Sequence, residues 1–452
     1  MSLWTSAEIA AATGGTASID FAVSGVAFDS REVGAGDLFV ALKGEATDGH
    51  RHLDQAFAQG AAGAIVAQPT GHPHVLVADT FAALEELGRA ARARTMARIV
   101  GVTGSVGKTG TKEALWACLE RGWRGQVHRS IKSYNNHTGV PLSLARMPAG
   151  ARADVFEMGM NHAGELAHLT TLVRPHVAMV TAIAPAHTAF FPDESAIADA
   201  KGEIFAGLEP GGTAILPYDS PHRDRLLAAA APHAGRIVTF GTDRAADVHT
   251  IEAMRLEGGG SFVTARVGSR ELSFILSQPG DHWVSNSLAV LAAVDAVGAD
   301  LGLAGLALAD MDGLQGRGAR FHTANDALVI DESYNANPSS MRATLGVLAH
   351  EPGRHVAILG EMRELGDKSD AYHVNLADPI SDADVELAVL VGEAMRPLAA
   401  ALEGRVRFVH VLTAAQALDI ARTEIAAGDA VLVKGSNGVG LSRVVAGLKG
   451  ES

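Results

Sequence analysis

Thr103-Gly104-Ser105-Val106-Gly107-Lys108-Thr109 decides the fold, because this glycine-rich run follows the apolar stretch Ile99-Val100-Gly101-Val102 and precedes a helix predicted over 112–121. Strand, loop and helix in this order are typical of phosphate binding at a helix N-terminus. The glycines let backbone N–H groups approach phosphate, the lysine supplies charge and the threonine offers an oxygen to Mg²⁺. The loop lacks the first glycine of the phosphate-binding motif Gly-x-x-x-x-Gly-Lys-Ser/Thr. It still predicts a nucleoside triphosphate site.

The same alternation of short apolar strands and helices continues after the loop. Further strands are predicted over 155–158, 177–183 and 214–216, which favours a mostly parallel sheet with helices on both faces. Between 248 and 276 the pattern changes to polar–apolar alternation, which indicates antiparallel hairpins added to that sheet. A helix over 284–297 is expected next.

The chain has 452 residues, which predicts about three domains rather than one core. A half-exposed helix ending near Met96 and a glycine-rich stretch at 313–318 supply the two boundaries. We therefore expect a small N-terminal α/β domain at 1–95, a central ATP-binding α/β domain at 96–317 and a third α/β domain at 318–452. Each would have its own sheet.

Composition excludes several classes of protein. The 37 Lys and Arg against 51 Asp and Glu give a net charge of −14, which argues against nucleic acid and anionic membranes as partners. The chain has a single cysteine, Cys118, and no N-terminal secretory pattern, so we expect a cytoplasmic protein. No apolar run reaches the roughly 20 residues of a membrane span.

Several polar residues follow predicted strands, where an open parallel sheet binds its ligands. Glu157 could hold Mg²⁺ together with the loop threonine and ATP, although a solvated glutamate is the plainer interpretation. His187 and Lys201, taken alone, are more often structural than functional. In 331–338, an acid followed by a tyrosine suits ribose and base binding, but taken by itself the run is better explained as an Asn-Pro turn before a helix.

These runs, in this order, resemble the Mur ligase family of ATP-dependent amide-forming enzymes over nearly the whole chain. The strings that carry the resemblance are Asp29-Ser30-Arg31, Thr103 to Thr109, Asn135-Asn136, Glu157-Met158-Gly159, Lys201-Gly202-Glu203-Ile204-Phe205, Asp331 to Pro338, Glu361 to Gly366 and Lys434-Gly435-Ser436.

The resemblance implies an N-terminal domain for a UDP-linked substrate, a central P-loop-type ATPase and a C-terminal Rossmann-like domain. It implies that ATP phosphorylates the C-terminal carboxylate of UDP-N-acetylmuramoyl-tripeptide and that the amine of D-alanyl-D-alanine then attacks the acyl phosphate. ATP and Mg²⁺ are the implied cofactors, the partners are these small molecules, and a monomer is expected.

The resemblance also assigns roles to individual residues, with metal ligands at Thr109, Glu157, His187 and a carbamylated Lys201. The catalytic set is Lys108, Glu157, His187, Lys201 and Arg320. The expected ATP contacts are Thr103, Gly104, Ser105, Val106, Gly107, Lys108, Thr109, Asn286, Arg320, Asp331, Tyr334 and Asn337. The expected substrate contacts are Ser30, Arg31, Asn135 and Asn136.

The chain departs from the family pattern at a few positions. Arg320 follows Gly-Ala rather than Pro-Gly, so Arg317 is a competing candidate for the arginine that reaches the ATP phosphates. Ser133 stands where an asparagine is expected and Gly110 where a hydroxyl residue is common. Asn437 replaces the usual arginine after Lys-Gly-Ser. None of these changes removes a central catalytic group.

Two other functions compete. A sister ligase that adds meso-diaminopimelate or lysine to the UDP-linked dipeptide shares the loop and metal residues, but its Asp-Asn-Pro-Arg string is absent from this sequence. A nucleotide-binding regulatory ATPase is the second alternative, and it would need no peptide acceptor. A purely structural protein is the weakest alternative, because it leaves the phosphate and metal groups unexplained.

Overall fold

The computed structural model describes residues 2–44, 47–185, 188–257 and 259–450. Its N-terminal region builds a five-stranded sheet in the order β2-β7-β6-β5-β4, with β1 and β3 paired beside it. The strands are β1 (Trp4–Thr5), β2 (Thr16–Ala17), β3 (Ala22–Val23), β4 (Gly25–Ala27), β5 (Asp37–Val40), β6 (Gly63–Val66) and β7 (His74–Leu76). The helices are α1 (Ser6–Thr13), α2 (Leu53–Ala58) and α3 (Thr80–Ala93), with short 3-10 turns at Ser30–Glu32 and Gly49–His52.

The central region holds a nine-stranded sheet in the order β16-β15-β14-β13-β12-β11-β8-β10-β9. Its strands are β8 (Arg98–Thr103), β9 (Val127–Arg129), β10 (Ala153–Glu157), β11 (Val177–Val180), β12 (Thr213–Pro217), β13 (Arg236–Gly241), β14 (Val248–Arg255), β15 (Ser261–Val267) and β16 (Arg270–Leu276). Its helices are α4 (Lys108–Gly122), α5 (Gly139–Ala145), α6 (Glu165–Val173), α7 (Glu194–Gly202), α8 (Arg223–Ala230), α9 (Asp281–Ala296) and α10 (Leu301–Ala309), with a 3-10 turn at Glu203–Gly207.

The C-terminal region holds a six-stranded sheet in the order β17-β18-β22-β19-β20-β21. Its strands are β17 (Ala319–His322), β18 (Leu328–Glu332), β19 (His355–Gly360), β20 (Val385–Val391), β21 (Arg407–Val411) and β22 (Ala430–Lys434). Its helices are α11 (Pro338–Leu348), α12 (Ser369–Val374), α13 (Ala377–Asp382), α14 (Arg396–Leu402), α15 (Ala414–Glu424) and α16 (Ser442–Lys449), with 3-10 turns at Gly366–Lys368, Glu393–Met395 and Asn437–Val439.

The structure confirms the α/β class and the antiparallel addition to the central sheet. Neighbouring strands pair in parallel from β9 to β14 across the sheet, whereas the β14–β15 and β15–β16 pairs are antiparallel. The helix after the glycine-rich loop begins earlier than expected, at Lys108 rather than residue 112. The reason is that Gly107, at φ +82°, turns the chain directly into the first helical residue. The later helix likewise begins at Asp281 instead of residue 284.

One apolar core crosses the expected boundary at residue 95. Buried side chains of α1 and α3 pack with those of α5 and α6 in one cluster, and the indole N–H of Trp4 donates to the carbonyl of Ala145 at 2.8 Å. Arg92, near the end of α3, donates to the carbonyl of Val173 at 2.8 Å. The C-terminal sheet instead has separate cores on its two faces. The N-terminal and central regions are therefore held together by packing as well as by the chain.

Among the residues that the structure describes, no helix combines the length and the apolarity that crossing a membrane requires.

Asp154 is a buried acid on β10, the strand next to one edge of the central sheet. It lies on β10 between β8 and β9, its side chain is fully buried, and neither carboxylate oxygen has a hydrogen-bond partner within the described residues. Burial raises its pKa from 3.8 to about 8, and the nearby Arg92 opposes this only in part. The fold therefore favours the protonated acid.

We expect Asp154→Asn to stabilise the protein more at high pH than at low pH. The stability contributed by the protonated acid is complete below its unfolded pKa of 3.8 and is lost as the pH rises toward the folded pKa of about 8. Asparagine does not titrate, so the variant's advantage in free energy of unfolding should grow by about 1–3 kcal/mol between about pH 5.5 and about pH 8. Urea unfolding at both pH values measures it, and an equal advantage at both would contradict this account.

Candidate active site

The glycine-rich loop lies between β8 and α4, and its two glycines, Gly104 and Gly107, lie against neighbouring side chains. A Cβ on Gly107 would come within 2.9 Å of Asn286 Oδ1, and a Cβ on Gly104 would lie 1.9 Å from Thr181 Oγ1. Thr181 follows β11 and donates to the carbonyl of Val106 at 2.6 Å. Only glycine fits at these two positions, and the loop is thereby held beside α9 and the end of β11.

Lys108 is the first residue of α4 and turns back over the loop. Its ammonium donates to the carbonyl of Gly104 at 2.6 Å. Burial lowers the pKa of Lys108; Glu157 counteracts this shift, and the positive charge of Arg317 adds to it. An anionic ligand in the loop would compensate for this buried charge, which is the electrostatic setting that a triphosphate needs.

Glu157, the last residue of β10, lies directly beside the loop. Its side chain is 1% exposed. One carboxylate oxygen accepts from Thr109 Oγ1 at 2.8 Å, and the other accepts from Asn135 Nδ2 at 2.7 Å. The Lys112 ammonium lies 4.0 Å from the first oxygen. The carboxylate is therefore fixed in orientation and partly neutralised.

Lys201, near the end of α7, is a fully buried amine. Its Nζ has no hydrogen-bond partner within the described part of the chain. Burial lowers its pKa far below the ordinary value, Lys108 adds to the shift, and Glu165 and Glu203 oppose it. A lowered pKa favours the neutral amine, and the neutral amine is the nucleophile that carbamylation requires.

The other predicted metal ligand, His187, lies outside the described residues.

Asp331, near the carboxyl end of β18, accepts hydrogen bonds from two turns of its own region. One carboxylate oxygen accepts from the backbone N–H of Gly316 at 2.8 Å, and the other accepts from Ser333 Oγ at 2.6 Å. The carboxylate is buried. Asn337 is engaged locally too, since its Oδ1 accepts from the N–H of Ser340 and caps α11.

A cavity of about 470 Å³ brings the central and C-terminal regions together around the loop. Its lining includes the loop from Ser105 to Thr109, then Asn135, Glu157, Thr181, Asn286, Arg317, Glu332, Tyr334, Asn337 and Lys434. The structure thus places most of the residues predicted to contact ATP around one cavity. Asp331 and Thr109 border an adjoining cavity of about 360 Å³.

The structure does not bring Arg320 to the loop. Its guanidinium forms an ion pair with Glu351 at 2.5 Å and lines a different cleft, beside the β14–β15 hairpin. Arg317, the competing candidate, lies on the loop side. Its guanidinium donates to Ser133 Oγ at 3.1 Å and stacks on the ring of Tyr334 with 4.3 Å to the centroid.

The predicted substrate residues lie in separate surroundings. Ser30 Oγ donates to Gln55 Oε1 at 3.0 Å. Arg31 is 80% exposed and forms an ion pair with Asp29 at 2.6 Å. Asn136 accepts from backbone N–H groups of its own turn, whereas Asn135 contacts Glu157. The two asparagines therefore face different groups, although they are neighbours in the sequence.

Two lysines that lie beside the site were missed from the sequence. Lys112 is fully buried, donates to the carbonyls of Ser130 and Lys132, and pairs with Glu113 at 2.8 Å. Its position one turn after the loop threonine on the same helix face was the available signal. Lys434 lines the cavity and pairs with Glu332 at 3.2 Å; it belonged to a quoted string but had no assigned role.

The donor set beside the loop fits a hard divalent cation. A buried carboxylate, a threonine hydroxyl at a helix N-terminus and space for phosphate oxygens match the ligands that Mg²⁺ prefers, which are oxygens with few protein carboxylates. Within the described residues no cluster of three or more His, Cys, Asp or Glu side chains forms an all-protein metal site. The site therefore suits a cation shared with a phosphate ligand.

Comparison with known proteins identifies the family. The chain matches the Mur ligase family catalytic domain at 22–97, the Mur ligase middle domain at 102–294 and the Mur ligase glutamate ligase domain at 316–437. It is 34% identical to UDP-N-acetylmuramoyl-tripeptide–D-alanyl-D-alanine ligase of Escherichia coli K12, over 95% of this chain and 94% of that protein.

Solved structures agree with the sequence comparison. The crystal structure of MurF from Acinetobacter baumannii superposes with a TM-score of 0.85 at 32% identity, covering 99% of both chains. MurF from Thermotoga maritima in complex with ADP gives a TM-score of 0.78 at 26% identity, over 95% of this chain and 98% of that one. Family domains that together span most of the chain, and a relative above 30% identity along its length, leave one conclusion: the chain belongs to the Mur ligase family.

Proposed function

We propose that this protein joins D-alanyl-D-alanine to UDP-N-acetylmuramoyl-tripeptide in an ATP-dependent reaction, giving the pentapeptide precursor of peptidoglycan, ADP and phosphate. The observation that carries the proposal is the full-length similarity to ligases with this name. The cavity between the phosphate loop and the C-terminal region supports it, because that cavity offers phosphate-binding groups on one side and stacking groups on the other.

The reaction follows from the chemistry of a carboxylate, which is a poor acyl donor. A carboxylate oxygen of the tripeptide attacks the γ-phosphorus of ATP and expels ADP, which converts that oxygen into part of a phosphate leaving group. The D-alanyl-D-alanine amine then attacks the carbonyl carbon, a proton is lost from nitrogen, and the tetrahedral intermediate expels phosphate. Catalysis of such steps depends chiefly on positioning and on charge stabilisation.

The residues of the loop bind and orient ATP in this proposal. Lys108 and the backbone N–H groups of 104–109 hold the phosphates, and Arg317 adds positive charge from the C-terminal side. Asn286 and Tyr334 contact the adenine, and Asp331, which borders the adjoining cavity, contacts the ribose.

Mg²⁺, when bound, neutralises phosphate charge during transfer. Thr109 and Glu157 would hold it, since their oxygens lie together at the loop. By resemblance, His187 and carbamylated Lys201 would hold a second ion. Carbamylation replaces an ammonium, which repels cations, with a carbamate that presents oxygen ligands; the neutral amine adds to CO₂ and releases one proton.

We further propose functional domains at 1–95, 96–317 and 318–452, with Ser30, Arg31 and Asn136 contacting the UDP-linked substrate. Ser30 and Arg31 share a 3-10 turn with Glu32, which contacts Lys132 and Tyr134 just before the two asparagines, and this supports the placement. We expect the protein to be a monomer. We expect it in the cytoplasm, because ATP and the nucleotide-linked substrate are cytoplasmic metabolites.

Acceptor dependence is the experiment that tests the function. With ATP, Mg²⁺ and UDP-N-acetylmuramoyl-tripeptide, we expect phosphate release to require D-alanyl-D-alanine and to yield a pentapeptide product by mass. Release only with the UDP-linked dipeptide and meso-diaminopimelate or lysine would assign the protein to the sister activity. Release without any acceptor would instead indicate an ATPase.

The two arginines give a matched pair for testing the phosphate contact. We expect Arg317→Ala to lower kcat/KM for ATP by about 10–100-fold, because it removes a charge beside the loop. Arg320→Ala should change it by less than about threefold, since that side chain is paired with Glu351 in another cleft. Steady-state phosphate release measures both variants. A larger loss in Arg320→Ala would restore Arg320 as the phosphate-binding arginine.

Carbamylation of Lys201 is testable without turnover. With ¹³C-bicarbonate, we expect a carbamate ¹³C NMR signal from the native protein that is absent from Lys201→Met. The low pKa that burial gives this amine should keep the signal present at neutral pH, where an exposed lysine is protonated. Identical spectra for the two proteins would reject the carbamate.

A further inference from the structure

The segment 132–135 connects all three regions of the molecule. Lys132 has φ +52°, a left-handed conformation that is unfavourable for a residue with a side chain. Its carbonyl accepts from the buried Lys112 ammonium at 2.8 Å, which holds the segment from the central side. Ser133 accepts from Arg317 of the linker that leads into the C-terminal sheet. A strained conformation of this kind persists only where surrounding contacts hold it.

Glu32 holds the same segment from the N-terminal side. One of its carboxylate oxygens accepts from Tyr134 Oη at 2.8 Å, and the other forms an ion pair with the Lys132 ammonium. The Tyr134 ring also packs against Phe28, with 5.5 Å between ring centroids. Burial raises the pKa of Glu32, but the hydrogen bonds from Lys132 and Tyr134 lower it by more. The pKa is therefore below its ordinary value, and the carboxylate is ionised at neutral pH.

The far end of the segment reaches the candidate cation site. Asn135 Nδ2 donates to Glu157 Oε1 at 2.7 Å, and the carbonyl of Asn135 accepts from the N–H of Gly159 at 2.7 Å. Ser133 Oγ lies 3.4 Å from Thr109 Oγ1, which itself donates to Glu157. Displacement of the segment would therefore move one of the two hydrogen-bond donors that orient the Glu157 carboxylate.

We propose that Glu32 is a positioning residue, which fixes segment 132–135 and through Asn135 orients Glu157 for the divalent cation. Glu32 ends the 3-10 turn that also carries Ser30 and Arg31. The contact therefore links the part of the N-terminal region expected to bind the UDP-linked substrate to the phosphate-transfer site. This inference rests on the proposed function for its kinetic consequences, although its effect on cation binding does not require turnover.

Glu32→Gln is the test, because glutamine keeps the size and one acceptor for Tyr134 but loses the charge that pairs with Lys132. Glu86→Gln is the matched control, since Glu86 is an exposed carboxylate on α3 of the N-terminal region and its partner is Arg89 on the same helix. Binding of Mn²⁺ in the presence of ADP is measured by electron paramagnetic resonance, together with kcat and the KM values for ATP, D-alanyl-D-alanine and the UDP-linked substrate.

We expect Glu32→Gln to weaken Mn²⁺ binding by about three- to tenfold and to lower kcat by about tenfold, as small misplacements at a reacting centre do. The Mg²⁺ concentration for half-maximal rate should rise in parallel, while Glu86→Gln matches the native protein. Tyr134→Phe removes one of the two contacts, so its effect should be smaller and should not add to that of Glu32→Gln. Tyr134→Phe also tests the contact if Glu32→Gln fails to fold.

Native Mn²⁺ affinity and native kcat in Glu32→Gln would overturn the inference. So would a change confined to the KM for the UDP-linked substrate, because Glu32 would then be a substrate contact only. Absence of Mn²⁺–ADP binding to the native protein would also overturn it. Failure of the native protein to ligate, with Mn²⁺ binding still weakened by Glu32→Gln, would reject the proposed function and leave the positioning role supported.

Discussion

The buried carboxylate of Glu157 is the constraint on which the site depends. An ionised acid at 1% exposure requires hydrogen bonds and nearby positive charge, because burial without them costs several kcal/mol. Thr109 and Asn135 donate to its two oxygens, and Lys112 supplies charge at 4.0 Å. Thr109 and Lys112 lie on the first turns of α4 and Asn135 on the segment before α5, so satisfying this one acid fixes the start of α4 and that segment relative to β10.

Sheet order explains why these elements meet. Strand β8 lies between β10 and β11, and all three run parallel, so their carboxyl ends share one edge. The loop that follows β8 is therefore flanked by Glu157 at the end of β10 and by Thr181 after β11. Two glycines allow the loop to approach these neighbours closely. The fold thus determines where the site lies before any ligand is considered.

The sequence predicted the elements well and the side-chain directions poorly. Strand, glycine-rich loop and helix were recognisable because local pattern and backbone conformation are set by neighbouring residues. Arg320 lies on β17 and Arg317 in the turn before it, so the choice between them depends on the direction of each side chain. It also depends on whether Glu351, in the turn after α11, is within reach. Such contacts between distant segments leave no local pattern. The link from Glu32 to Lys132 and Tyr134 was missed for the same reason, since about a hundred residues separate the partners.

The charges of the site suit a ligand that brings negative charge of its own. Burial lowers the pKa of both Lys108 and Lys201, and the charge of Lys108 lowers the pKa of Lys201 further. A triphosphate beside Lys108 would compensate for its buried charge, whereas Lys201 has no acceptor within the described residues. Conversion of the Lys201 amine to a carbamate would place a negatively charged oxygen ligand at this position. The unpartnered Lys201 amine is thus a property of the site's electrostatics and does not indicate a packing fault.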